Sequence, residues 1–304
     1  MKQLTLSGFL LVFLFSISLT HAQQVADMEY NFTIKETMYE AGKGSVLVLD
    51  EAHFNYHTLS GRYAPFGQLL SSDGYVMQPG TERFSDGYLS MMKILVIANA
   101  MPDSSAEWKL PAKSAFDQKE IEAVKKWVEA GGSLLLIADH MPFAGQATQL
   151  SQAFGFNFID GFAMRKDKKP EVFSSQRNNL KHSVITKGRN KHEAVDSLMV
   201  FTGQGFIAPK EATVITQMND DYEILLPPIA WAFGQNTPRM SGQHLVNGAY
   251  MNYGKGRLVV MGEAAMFSAQ LSGPKKVKVG MNHLHGNQNA QFLLNIIHWL
   301  DRKL

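Results

Sequence analysis

The stretch GGSLLLIADHMPFAG, Gly131 to Gly145, decides the reading of the fold. Two glycines stop a helix. Residues 133–138 then form an apolar run without polar alternation, the pattern of a strand covered on both faces in a parallel sheet. This strand delivers Asp139 and His140 at its carboxyl end, ahead of a Pro and Gly turn. Open α/β sheets bind ligands beyond the carboxyl ends of their strands. The stretch therefore predicts where a site lies, with Asp139 and His140 as its first candidates.

Working outward, the same pattern recurs. Upstream, Asp117 and Glu120 form a capping box, and Ile121, Val124, Trp127 and Val128 make a helical stripe. Before them, residues 92–98 (MKILVIA) read as a buried strand ending at Asn99, followed by a long loop to Phe116. Such loops often cover binding sites. Residues 45–49 (SVLVL) are a third buried strand, ending in Asp50, Glu51, His53, Asn55 and His57. Thr58 or Ser60 is expected to cap a helix reaching Leu70, and residues 75–78 a weaker strand. Buried strands alternating with helices form βαβ units and a parallel sheet.

Downstream, residues 144–154 continue as a helix. Residues 165–179 read as a surface excursion and residues 195–201 as a strand, ahead of Gly203-Gln204-Gly205, whose backbone can approach a ligand closely. Residues 222–237 read as loop. Residues 249–253 and 257–261 form a hairpin about Gly254-Lys255-Gly256. Residues 272–286 read as a loop carrying His283 and His285, and residues 289–300 as a last amphipathic helix. The expected class is α/β, a flavodoxin-like three-layer sandwich with a mainly parallel sheet, a late hairpin and a C-terminal helix.

Composition sets limits. The 304 residues are 45% hydrophobic and 18% charged, ordinary for a folded chain. The net charge of +2 gives no polyanion-binding signature, and the short basic runs 165–169 and 275–278 lie in loops, so no nucleic-acid partner is expected. Residues 1–22 read as a signal peptide: Lys2, an apolar core over 9–19, and the cleavage site Thr20-His21-Ala22. This predicts a periplasmic or secreted protein. No other apolar run is long enough to span a membrane, which takes about 20 residues. Residues 23–44 read as an irregular lead-in, and 45–304 as one domain. The chain has no cysteine, which excludes disulfides, thiol nucleophiles and a lipid-anchoring lipobox.

GGSLLLIAD, YGKGRLVVMGEAAMFSAQ and NQNAQFLLNIIHWL, in this order, resemble the class I glutamine-amidotransferase-like superfamily over residues 45–304. They are most similar to an uncharacterised branch, related to gliding-motility ABC-transporter auxiliary proteins and the GIFT domain of intraflagellar transport. The resemblance implies a flavodoxin-like sandwich. Amidotransferases place a nucleophilic cysteine at the tight turn after a strand, and here residues 138–141 hold Asp139 and His140 instead. Without a thiol, glutamine hydrolysis by that route is excluded. The relatives act largely as binding or scaffold modules.

Four loops are expected to meet at one sheet edge, contributing Asp50, Glu51, His53, Asn55, His57, Asn99, Asp139, His140, Phe143, Gln204 and Glu263. Asp139, His140, Glu51 and His53 are the candidate catalytic set, and the others candidate ligand-binding residues. These types suit acid–base chemistry or a divalent metal. Acids after strands also cap helices, and Glu263 is expected to hold nearby backbone amides. No HExxH, GxSxG, P-loop or dinucleotide motif is present. The leading expectation is an exported domain binding a small polar ligand, a carbohydrate or cell-envelope fragment. The alternatives are a hydrolase using the Asp/His/Glu cluster, metal-assisted or not, and an envelope scaffold.

Overall fold

In the computed structural model, residues 24–304 are described. The signal segment and its cleavage site lie outside the described residues. Five parallel strands run in the spatial order Val76–Gly80, Val46–Asp50, Ile94–Ala98, Ser133–Ile137, Gly256–Met261. Numbered along the chain this is 2-1-3-4-5, the flavodoxin order. Val246–Tyr253 joins antiparallel to Gly256–Met261, and Thr213–Gln217, Phe206–Ile207 and Asn157–Phe158 extend that side.

The apolar runs are buried because each face of the sheet carries helices. Leu47, Val96, Leu135 and Val259 pack with Phe66, Leu70, Phe292 and Ile296 of the helices Ala64–Ser72 and Asn289–Leu300. Val48, Leu95, Leu136 and Val260 pack with Ile121, Val124 and Leu150 of the helices Gln118–Ala130 and Phe143–Gln152. Alternate residues of one strand thus enter opposite cores, the consequence of a period-two side-chain alternation. Fully burying one such side chain stabilises by about 1.5–3 kcal/mol.

Several local expectations need correcting. The first helix begins at Ala64 behind Tyr63, with no side-chain cap, so neither Thr58 nor Ser60 starts it. Residues 222–237 are not all loop: Tyr222–Leu225 is a strand between Phe162–Arg165 and Arg239–Ser241. The excursion 165–179 holds the strand Glu171–Ser174, paired with Ser197–Val200. Residues 272–286 include the strand Val277–Gly280, in a small sheet with Ala269–Ser272 and Gln24–Ala26. These strands are short and depend on long-range partners, so local pattern does not reveal them. The capping box of Asp117 and Glu120 forms as read.

Candidate functional site

The chain's switch point lies between the strands Val46–Asp50 and Ile94–Ala98, and two separate polar groups follow the carboxyl ends of these strands and of Ser133–Ile137. The first is a closed tie. His53 donates through Nδ1 to both oxygens of Asp50, each at 2.9 Å, and through Nε2 to Glu120 Oε1 at 2.9 Å. Asn55 Nδ2 donates to Asp50 Oδ2 at 3.0 Å, and Arg83 donates to Glu120 Oε2 at 3.0 Å. Phe84 and Phe116 flank the imidazole at 4.6 and 4.7 Å between ring centres. Burial alone would push the His53 pKa down, but bonds to Asp50 and Glu120 outweigh it and raise it. Both ring nitrogens are spent. His53 therefore joins the first strand's loop to the start of the helix Gln118–Ala130 and has no valence left for a ligand. Glu120, visible in sequence only as half of a capping box, does both jobs.

The second group surrounds His140. Asp139 N donates to Asn99 Oδ1 at 2.9 Å, and His140 N to Asp139 Oδ1 at 2.9 Å. Asn99 holds φ +49°, a left-handed conformation that asparagine tolerates better than most residues. His140 Nδ1 donates to Met141 O at 2.7 Å. His140 Nε2 makes no hydrogen bond among the described residues. Phe162 stacks on His140 at 4.6 Å, Trp231 meets it edge-on at 4.7 Å, and Phe143 stands at 5.9 Å. Tyr56 and Trp108 continue the aromatic wall beyond Phe143. The covering loops are tied by Leu110 N to Pro228 O at 2.9 Å and Ala230 N to Trp108 O at 2.8 Å. Trp231 stays 46% exposed.

Burial raises the pKa values of the carboxyl groups around His140. Burial pushes Asp139 up, against the opposing pull of His140. Burial and the Asp139 charge raise Glu263, whose oxygens accept from Ala265 N at 2.7 Å and Met266 N at 2.8 Å. That backbone role for Glu263 is the one expected from sequence. Asp160 accepts from Gly145 N at 3.0 Å with one oxygen, and the other is buried without a partner among the described residues. Burial also raises Asp160, and raises Glu171, which Arg165 pulls down and Asp139 pushes further up. Sequence reasoning missed Asp160 and Glu171, since both sit in the stretch whose strands it could not resolve.

His57 is buried against Tyr63, ring centres 4.4 Å apart, and burial, Arg62 and His140 hold its pKa down to about 3. A depressed imidazole makes the native state refuse a proton that the unfolded chain accepts below 6.5. Stability is therefore expected to fall as pH drops from 6.5 towards 3, by about 1.4 kcal/mol per pH unit from this group. Urea titrations of the wild type and His57→Gln check this: the variant should lose that part of the slope, and an unchanged slope would refute it.

The remaining sequence candidates stand apart from the hollow or serve its walls. Glu51 Oε1 accepts from Leu59 N at 2.7 Å, holding its own loop. Gln204 is buried; it donates to Ala138 O at 3.0 Å and accepts from Ile159 N at 3.3 Å, bracing the elbow strand. Phe143 is buried as a wall. His53 and His57, four apart, do not share a face, because their segment is not helical. Among the described residues no group of three or more His, Asp or Glu side chains is placed to hold a metal ion.

No protein-family profile matches this chain, and no curated protein matches it in sequence. Solved structures do. The mmIFT52 N-terminal domain superposes with a TM-score of 0.58 at 15% identity, covering 84% of this chain and 97% of that one. The cytoplasmic protein STM3548 from Salmonella typhimurium gives 0.50 at 14% identity, with 84% and 98% covered. A ThuA-like protein from Bacteroides uniformis gives 0.48 at 12% identity, with 88% and 95% covered. The first two likenesses show a shared fold, which agrees with the strand order.

Proposed function

We propose that this chain is an exported, amidotransferase-like binding protein without amidotransferase activity, which holds a small polar ligand, a carbohydrate or cell-envelope fragment, against the residues around His140. The observation that supports it is unspent polar capacity around His140, against which the half-exposed Trp231 packs. His57 Nδ1, Asn99 Nδ2 and Asp160 Oδ2 are buried with no partner among the described residues, in the neighbourhood of His140. Each such atom costs about 1–3 kcal/mol until something bonds it. Acids dominate the hollow's charged groups, so a neutral polyol suits it better than an anion. An aromatic wall supplies the apolar contact such ring ligands need. The branch of the superfamily nearest gliding-motility auxiliary proteins and the GIFT domain is part of the same proposal.

Calorimetry against a panel of sugars and peptidoglycan fragments tests it. One member should bind, and His140→Ala should weaken it by tenfold or more, about the value of one buried hydrogen bond. No heat with any member would overturn the proposal. Export is checked separately by the mass of the periplasmic or secreted product, expected to begin at Gln23. Among the described residues no helix is long and apolar enough to cross a membrane.

One observation favours the hydrolase reading as a second. His140 Nε2 is left without a hydrogen bond while Nδ1 is held by the Met141 carbonyl, which leaves one ring nitrogen available for proton transfer. A hydrolase substrate screen discriminates the two readings. Turnover that survives Asp139→Asn and His140→Ala, or none at all, removes the catalytic one.

A further inference from the structure

A cavity of about 280 Å³ lies away from the His140 hollow. Three distant stretches build it: residues 32–36, which cross its mouth, the turn at residues 189–193, and the helix Asn289–Leu300. Residues 32–36 are tied down by hydrogen bonds at their end. Arg189 donates to Glu36 O at 2.7 Å while its Nε donates to Glu193 Oε1 at 2.7 Å. Met38 N donates to Asp73 Oδ1 at 2.7 Å.

The lining is polarised. Phe32, Ile34 and Leu294 give apolar surface. At the mouth Lys35 Nζ donates to His192 Nδ1 at 3.1 Å, which requires an imidazole lone pair there. Lys35 has no carboxylate partner among the described residues, whereas Arg189 is neutralised by Glu193. His298 also lines the cavity. Its Nε2 donates to Asp73 Oδ2 at 2.6 Å, and its Nδ1 is buried with no partner among the described residues. Asp73 thus bonds the strap with one oxygen and His298 with the other.

We propose that this cavity is a second ligand site, which takes a small hydroxycarboxylate with an apolar body and locks the N-terminal strap onto the last helix. The carboxylate replaces the weak Lys35–His192 contact with a charge-assisted pair. The apolar body lies along Phe32, Ile34 and Leu294. The hydroxyl donates to His298 Nδ1. The volume holds about ten non-hydrogen atoms, judged from the ~30 Å³ that a water occupies in the liquid. A ligand bound only by the folded strap stabilises it by mass action.

The probe is 4-hydroxyphenylacetate, with 4-hydroxyphenylacetamide and phenylacetate as controls for the charge and the hydroxyl. Calorimetry on the mature chain is expected to show the first binding and each control binding about tenfold more weakly, the loss of one polar contact. Lys35→Met, at an exposed position, is expected to weaken the probe equally and to leave the fold intact. Tryptic cleavage after Lys35 should slow when the probe is bound. Asp139→Asn should leave this binding unchanged, which separates the site from the His140 hollow. No binding by the probe, equal binding by the amide, or indifference to Lys35→Met would each overturn the proposal.

Discussion

Replacing His53 by alanine is expected to destabilise the protein by about 3–5 kcal/mol, the usual cost of removing one partner from a buried charge group. The imidazole is fully buried and bridges Asp50 and Glu120 at 2.9 Å on either side. Its removal leaves two carboxylates facing a void between Phe84 and Phe116. Arg83 relieves Glu120 only in part, because its side chain is half exposed. The pH dependence carries a definite sign. A raised folded pKa gives stability that is complete below the ordinary value of 6.5 and is lost as pH rises through the folded value. His53→Gln should therefore flatten the alkaline side of the stability profile, as His57→Gln flattens the acid side. Equilibrium urea unfolding from about pH 3 to 9 measures both, and a loss under about 1 kcal/mol for His53→Ala would show the tie to be dispensable.

Gly256→Ala is the second large expected effect, about 3 kcal/mol or more, at the upper end for overpacking because the obstruction is backbone. A Cβ at Gly256 would collide with the carbonyl oxygens of Val128 and Gly132, at the end of the helix Gln118–Ala130. The strand cannot retreat, since Arg257 to Met261 are registered against Ser133 to Ile137. Gly254, with φ +56°, turns the hairpin in a left-handed conformation that suits glycine. Gly87→Ala is the control: nothing lies within 4 Å of its Cβ, and its φ is not positive. Thermal unfolding should show a large fall for Gly256→Ala and none for Gly87→Ala. Equal melting temperatures would mean that the helix end and the strand are not held as closely as described.

Both predictions involve residues that the sequence marked for a simpler reason. Gly256 read as part of a hairpin turn; it opens the strand after the turn at Gly254-Lys255, and its position sets how closely a helix end approaches the sheet. His53 read as a catalytic candidate, because a histidine after a strand beside Asp50 and Glu51 has the right chemistry. Its partner Glu120 lies on a different element, and only the packing of helix on strand brings the two together. The same limit explains Asp160, in a loop between two short strands, and Glu171, in a strand too short to carry a local period.

The order of five apolar runs, their helix signals and their polar ends were sufficient to give a parallel sheet with Asp50, Asn99, Asp139 and Glu263 along one rim, because hydrophobic period and capping act over neighbouring residues. Which of those groups keep a free valence was decided by tertiary structure alone. It closes His53 between two acids, braces Gln204 against Ala138, and leaves His140 Nε2 open under Trp231. A hydrogen-bond partner is set by where distant chain segments meet, and no local pattern encodes that.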